Sequence, residues 1–339
     1  ILFPTGDSKN TIPEFKEQKK LAKVFDEASR WADILDLGFV GSLNEKIQSG
    51  EIEEVIKVNE ALHEKKIANI ADLICEDDNI KVILIAGPSS SGKTTFSKRL
   101  AVHLTVNGKR PITISLDDYF VAREKTPLND KGEYDFESID AIDLKLLNED
   151  LLKLLEGEEI ELPRFNFITG KREMSGIRVK LDKDHPIILE GIHGLNPRLT
   201  TYIPEKNKFK IYVSALTQLN IDAHNRISTT DTRLIRRMVR DNKFRGNDVF
   251  RTFQMWKGVV EGEGINIFPY QEEADIMFNS ALVYELSVLK KYAVPLLEKV
   301  DNTSPYYSES KRLLKFLKYF VPIEDERAIP GNSILREFI

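Results

Sequence analysis

The sequence predicts an α/β fold built on a doubly wound, mostly parallel sheet, with a helical extension before it and a helical tail after it. Three observations carry the prediction. An apolar strand candidate, Val82–Ala86, runs into Gly87-Pro88-Ser89-Ser90-Ser91-Gly92-Lys93-Thr94, and a helical stretch, Thr94–Val106, follows at once. Further apolar runs at Ile112–Leu116, Ile187–Glu190, Phe209–Val213 and Ile276–Asn279 alternate with helical segments, as parallel strands joined by crossover helices do. Acids stand where two of these runs end, Asp117-Asp118 and Glu190, and ligands of such sheets gather at the carboxyl ends of the strands.

Bulk properties narrow the class. A chain of 339 residues, 41% hydrophobic and 30% charged, holds one large globular domain or two smaller ones. No apolar run approaches the length of a membrane span, and the opening ILFPTGDSKN has neither a basic region nor an apolar core of a signal peptide. The chain begins with Ile1 rather than Met, so a fragment of a longer polypeptide is expected. Cys75 is the only cysteine, which excludes an intramolecular disulfide framework and a Cys-based zinc site and fits a reducing cytoplasm. A net charge of −5 leaves no overall polycation to wrap nucleic acid.

Three regions follow: a helical region at 1–79, a core domain at 80–300, and a helix and tail at 301–339. In the first, Pro13 and a Lys/Glu-rich stretch lead into Leu21–Leu35, whose apolar residues recur at helical spacing. Gly38 and Gly41 interrupt it. Ser42-Leu43-Asn44-Glu45 resembles a capping box with Ser42 as the cap. The helical period returns over Glu51–Cys75, where His63, set among the charges of Glu60–Lys66, is expected on the helix surface. After the last strand candidate, Tyr292–Lys299 ends the final core helix, Ser310–Phe320 forms one more, and Pro322–Ile339 is expected to be a tail.

The stretch from Gly87 to Thr94 is a complete G-x-x-x-x-G-K-[ST] loop, the Walker A pattern. Gly87 and Gly92 let the backbone curl so that the amides of Ser89, Ser90, Ser91 and their neighbours point at phosphate oxygens. Lys93 is expected to reach the β/γ-phosphates, the Thr94 hydroxyl suits Mg²⁺, and Thr95 extends the set. Binding of a nucleoside triphosphate is the implied property. Asp117 and Glu190 each sit one step beyond a buried strand, beside the loop. Either can hold Mg²⁺, and Asp117 can also take a proton from an acceptor hydroxyl. His193, in Glu190-Gly191-Ile192-His193-Gly194, either lines the site or packs the loop.

Cations concentrate in DTRLIRRMVRDNKFRG, which carries Arg233, Arg236, Arg237, Arg240, Lys243 and Arg245. On a helix ended by Gly246, the first four share a face, and the reading is a mobile lid closing over ATP. No aromatic is interleaved between Arg233 and Arg240, so nucleic acid is not the expected partner of this stripe. Neither an Asn-Lys-x-Asp guanine reader nor an LSGGQ-like signature is present, so a small-molecule acceptor is favoured over water.

Taken together, from about Lys81 to about Leu297, the ordered motifs resemble the uridine kinase/phosphoribulokinase family of phosphate-loop kinases. GPSSSGKTT matches the nucleotide loop. Ser115-Leu116-Asp117-Asp118-Tyr119-Phe120 resembles the S-x-D-S/D-aromatic-aromatic motif, and Tyr134–Asp143 the F-D-H-P-x-A-x-D segment. Pro163–Arg172 resembles P-x-Y-x-F-x-x-H-x-R, Ile188–Ile192 matches I-x-E-G-I, and Asp231–Gly246 matches the arginine lid. The resemblance implies ATP, Mg²⁺ and phosphorylation of a primary hydroxyl on a ribose-type substrate. It implies catalytic roles for Asp117, Lys93 and Arg236, with Arg240 and Arg245 on the phosphates. On the acceptor side it implies Asp117, Phe120, Glu137, Phe165, Arg172 and Arg233, joined by His193, and on the metal Thr94, Glu190 and Asp117.

The chain departs from the family where a pyrimidine is read. Phe165 stands for the usual Tyr, Gly170 for the usual His, and Glu137 for the ribose-binding Asp, while Thr217–Ser228 is an insertion before the lid. The leading expectation is a kinase for a nucleoside or ribose-like polyol, with uridine itself not specified. Alternatives are a phosphoribulokinase-type sugar-phosphate kinase, using Arg164, Lys171, Arg172 and Arg251, or a nucleotide-sensing module associated with RNA. The EALHEKK…IANIAD region also resembles proteins in which such a kinase follows a threonyl-tRNA-synthetase-like module. The partners expected are a small hydroxyl acceptor and, as an open alternative to a monomer, a second copy of the chain; no membrane is expected.

Overall fold

The computed structural model describes residues 17–129, 132–167, 169–182 and 185–339. The first sixteen residues, with Pro13, and Ile168 of the 163–172 motif lie outside the described residues. In chain order come three helices, α1 (Lys19–Leu35), α2 (Val40–Gln48) and α3 (Ile52–Cys75), then β1 (Val82–Ala86), α4 (Lys93–Val106) and β2 (Ile112–Ser115). Next are α5 (Leu144–Leu155), the hairpin β3 (Glu159–Asn166) and β4 (Lys171–Lys180), then β5 (Ile187–Glu190) and β6 (Lys208–Ser214). The chain continues through α6 (Thr229–Phe244), α7 (Val249–Asn266), β7 (Ile276–Asn279), α8 (Glu285–Leu297) and α9 (Tyr307–Leu317).

The main sheet has the order β2-β5-β1-β6-β7, with every pair parallel. The expected doubly wound sheet is present. The chain leaves β1 towards β2 and β5 and later returns to its other side with β6 and β7. The direction therefore reverses at β1, which puts a crevice at its carboxyl end. Every residue of β1 is buried, so its run of Val, Ile, Leu and Ala reflects cover on both faces. Ile83 and Ile85 join one core with Phe96, Leu100 and Leu104 of α4; Val82 and Leu84 join another with Leu147 and Leu151 of α5.

The first of these cores also takes in Ile56, Ile67 and Ile70 of α3, Leu313 and Leu317 of α9, and Ile334, Leu335 and Phe338 beyond them. The divisions drawn at 79/80 and 300/301 fall between elements, and one hydrophobic core runs across both. Pro322–Ile339 is accordingly not a loose tail: Ile334, Leu335 and Phe338 are fully buried.

Several local expectations are corrected. Ser42 lies inside α2 and caps nothing; Phe39 precedes the helix. The end is satisfied by tertiary backbone instead, because Asn220 of the Thr217–Ser228 insertion accepts from Val40 N (2.9 Å) and donates to Gly38 O (3.1 Å). His63 is buried with its ring 5.2 Å from that of Phe278. Its charged neighbours misled because Glu60 is buried too, accepting from the Tyr284 hydroxyl at 2.6 Å. The hairpin β3–β4 was not anticipated. It stands outside the main sheet, and β4 has no buried residue, so the in/out alternation that marks a strand is weak there.

Candidate active site

The phosphate loop begins where β1 ends. A Cβ on residue 87 would lie 2.0 Å from Val213 O, so only glycine lets the loop leave β1 alongside β6. Ser90 (φ +60°) and Gly92 (φ +85°) turn the chain through the left-handed region into Lys93, the first residue of α4. The amides at this turn therefore gather at a helix N-terminus, where partial positive charge favours anions. Ser90 Oγ and Ser91 Oγ are buried without a hydrogen-bond partner, which suits a loop shaped for an oxygen-rich guest.

Lys93, Thr94, Asp117 and Glu190 are brought together as the sequence implies. Lys93 Nζ donates to Pro88 O (3.1 Å). Burial lowers its pKa from the usual lysine range, opposed by the charges of Glu190, Asp117 and Glu337. Thr94 Oγ1 donates to Glu190 Oε1 (3.1 Å), and Ser115 Oγ reaches the same oxygen at 3.4 Å. Burial pushes the Glu190 pKa up to about 7 against the pull of Lys93. Asp117 occupies the short 3-10 turn Leu116–Tyr119 that follows β2, so it faces the loop from the next strand but one. Its neighbour Asp118 has a different task. It accepts from Phe165 N at 3.1 Å and ties the hairpin to the sheet.

The donor set of hydroxyl and carboxylate oxygens fits Mg²⁺, a hard cation that takes one or two protein carboxylates and completes its shell with phosphate and water. Thr94, Glu190 and Asp117 are the residues that would hold it. Among the described residues no cluster of three or more His, Cys, Asp or Glu is arranged for a metal, so an all-protein metal cage is absent there.

Glu137 approaches from the side of α7, where a Cβ on residue 262 would lie 2.4 Å from Glu137 Cβ; Gly262 makes that approach available. Burial raises the Glu137 pKa to about 7, with Arg237 opposing and Glu263 and Asp117 adding to the rise. His193 is fully buried beside the backbone of Glu137 and Ser138, and burial lowers its pKa to about 4. On the outer flank, the Phe165 ring lies 5.6 Å from that of Phe120 and 5.2 Å from that of Phe167, edge to face. Arg172 is tied to Asp143 (3.0 Å), the residue that caps α5. Gly170 (φ +68°) leaves room for Arg123: a Cβ there would fall 2.9 Å from Arg123 Nε, and Arg123 donates to the carbonyls of Gly170 and Phe167.

The expected cationic ridge on α6 faces inward. Arg233, Arg236, Arg237 and Arg240 are 2, 0, 6 and 8% exposed. Arg233 Nη1 donates to Ser89 O (3.1 Å), Arg236 Nη1 to Ser90 O (3.3 Å) and Arg237 Nη1 to Ser89 Oγ (2.9 Å). The helix is thus packed on the phosphate loop as part of its wall, not standing off as an open lid. Two of its charges are met by acids from neighbouring helices, Glu263 of α7 for Arg233 and Glu285 of α8 for Arg236, and Arg240 is met by Asp241 of α6 itself. Arg245 lies at the outer end, half exposed and 3.8 Å from Asp241. Glu263 also accepts from Ser89 N (3.0 Å), and Glu337 from Thr95 N (3.1 Å) and Thr95 Oγ1 (2.9 Å). Sequence reasoning placed Arg237 in the lid without a contact of its own, and missed Glu263, Glu285 and Glu337 as site residues. Each acid lies outside any local motif, and only the folding of α7, α8 and the last segment onto the loop reveals it.

Among the described residues no helix is long and apolar enough to cross a membrane. The profile of the Phosphoribulokinase / Uridine kinase family matches residues 82–287. A uridine kinase from Lactobacillus helveticus is 31% identical over 180 residues, covering 53% of this chain and 76% of that protein. A uridine kinase from Saccharomyces cerevisiae is 28% identical over 202 residues, covering 59% of this chain and 36% of that longer protein, so the chain spans about a third of its length. A solved structure described as a possible uridine kinase from Bacillus stearothermophilus aligns with a TM-score of 0.41 and 18% identity, over 63% of this chain and all of that one.

Proposed function

Because the chain belongs to the phosphoribulokinase/uridine kinase family, we propose that it is an ATP- and Mg²⁺-dependent kinase that transfers the γ-phosphoryl group to a hydroxyl of a nucleoside or ribose-like polyol. The observation that carries this reading is the convergence of Lys93, Thr94, Glu190 and Asp117 at the carboxyl ends of β1, β2 and β5, on a loop whose amides gather at the start of α4. The half-buried Lys93 would neutralise the β/γ-phosphates, in a site where reduced dielectric strengthens its charge. Thr94, Glu190 and Asp117 would hold Mg²⁺, which when bound neutralises charge on the transferring phosphate. Asp117 would accept the proton of the acceptor hydroxyl as its oxygen bonds to the γ-phosphorus and the bond from that phosphorus to the β–γ bridging oxygen breaks, with ADP leaving. Glu137 and Arg237 would flank the acceptor side, with Gly262 of α7 packed against Glu137.

The acceptor is read less sharply than in a pyrimidine-specific site. A pocket that hydrogen-bonds a base discriminates strongly, since a mismatched analogue leaves buried polar groups unpaired. Here Phe165 has no hydroxyl and packs edge-on among Phe120 and Phe167, while the place beside Gly170 is filled by Arg123. Uridine and cytidine are therefore proposed to be weakly discriminated. The test is a screen of nucleosides, pentoses, polyols and sugar phosphates at fixed ATP·Mg²⁺, scored by kcat/KM. Transfer to none of them would remove the kinase reading. A preference for uridine over a purine nucleoside beyond about 10³-fold would remove the acceptor reading alone.

A further inference from the structure

The segment Ser333–Ile339 lies across the phosphate loop, and we infer that it is a strap which an incoming nucleotide must displace, with the Glu337 carboxylate standing in the place of a phosphate group. The inference rests on the nucleotide-site reading above and adds to it a competitor supplied by the chain itself. Glu337 Oε2 accepts from both donors of Thr95, the amide at 3.1 Å and the hydroxyl at 2.9 Å. Thr95 follows the Lys-Thr pair of the loop, in the first turn of α4, where phosphate loops present donors to nucleotide phosphates. A carboxylate there takes the same donors and the same helix-end charge that a phosphate would take.

The fit is a built one. A Cβ on residue 92 would lie 2.6 Å from Ile334 Cγ2, so the strap rests directly on the loop glycine. The Arg236 guanidinium lies 5.0 Å from the centre of the Phe338 ring, a cation–π contact joining the strap to α6. Ile334, Leu335 and Phe338 are fully buried.

The anchors of the strap lie away from the loop. Ser333 Oγ donates to Glu60 Oε1 on α3, the oxygen that also receives the Tyr284 hydroxyl. Arg336 pairs with Glu326 (2.9 Å) and donates to Ile329 O (3.0 Å), and Glu326 is held in turn by Lys291 and Tyr292 of α8. Ser333 and Arg336 can therefore stay seated while the last turn, 337–339, lifts off Thr95 with the Glu337 carboxylate. Two states result, strap on the loop or nucleotide on the loop, and apparent nucleotide affinity falls by the fraction of molecules with the strap in place.

The experiment measures ATP binding by calorimetry to the full chain and to its Glu337→Gln and Glu337→Ala variants, with and without Mg²⁺. Amide hydrogen exchange at 93–97 and 333–339 is followed as ATP is added to the unaltered chain. The expected result is a Kd for ATP lowered by about tenfold in both variants, the size of one charge-assisted contact, together with faster exchange at 337–339 when ATP binds. Equal or weaker binding by both variants, each folded by circular dichroism, or unchanged exchange of the strap at saturating ATP, would overturn the strap and leave the nucleotide site standing. If neither the unaltered chain nor the variants bind ATP, the nucleotide-site reading fails and the strap with it.

Discussion

Arg236 of α6 and Glu285 of α8 form an ion pair with both side chains out of water, Arg236 Nε donating to Glu285 Oε2 at 2.7 Å. The same guanidinium reaches Ser90 O and Ser280 O, so one arginine ties two helices, the phosphate loop and the end of β7. Removing one partner of a buried pair strands the other charge, which costs about 3–5 kcal/mol. Arg236→Ala should therefore lower unfolding free energy by that order in urea titrations. The double change Arg236→Met with Glu285→Leu should recover most of it. A loss below about 1 kcal/mol in the single variant would show that Glu285 finds water or a proton at no cost.

Lys93→Ala should abolish phosphoryl transfer and leave the fold intact. Nζ makes its hydrogen bond to Pro88 O within the loop, and the apolar cores do not depend on it. Turnover with ATP and circular dichroism together check this. Near-normal turnover would mean that the loop does not carry the β/γ-phosphates.

Asp117→Asn should reduce kcat by about 10²–10⁴, as loss of a positioned base or metal ligand does, while ATP binding survives. Asn keeps the size and hydrogen-bonding edge, so the turn Leu116–Tyr119 should persist. An effect confined to KM would give Asp117 a binding role only.

His63 makes stability depend on pH. Burial holds its pKa down to about 3, against about 6.5 for an exposed histidine. Below pH 6.5 the unfolded chain therefore takes up a proton that the folded chain refuses until about pH 3. Stability from this residue is full above pH 6.5 and is lost as pH falls through that window, with a slope of up to about 1.4 kcal/mol per unit. His193, lowered to about 4, acts in the same direction. Melting curves from pH 7 to 4 should thus fall more steeply for the unaltered chain than for His63→Gln. Parallel curves would mean that His63 protonates freely in the folded state.

Much of the site was legible because its chemistry is local in sequence. Gly87 to Thr95 must be contiguous to wrap a phosphate, and Asp117 and Glu190 announce themselves by ending apolar strands. The parallel sheet was legible from Val82–Ala86 and its partners, since burial on both faces leaves unbroken apolar runs. What stayed hidden depends on distant elements. Arg233 and Arg236 read as parts of a mobile lid, and not as a wall fixed on the loop, because their acids, Glu263 and Glu285, come later in the chain by 30 and 49 positions. His63 read as exposed because its burial comes from Phe278 on β7. The hairpin was hidden for the opposite reason: β4 buries nothing, so it leaves no pattern to read.

The strand order has a consequence for how the chain is made. β1 is the central strand, yet its two neighbours start at Ile187 and Lys208, roughly a hundred residues or more further on. At about 5–20 residues per second of synthesis, Val82–Ala86 waits on the order of 5–20 seconds for its first partner. Until α5 emerges, α3 and α4 are the available cover, and they cover one face: Ile83 and Ile85 share a core with them, while Val82 and Leu84 wait first for α5 and then for β5. The nascent chain is thus most prone to aggregate between the emergence of α4 and that of β5. Slowing elongation in that window should raise the insoluble fraction more than slowing it anywhere after β6.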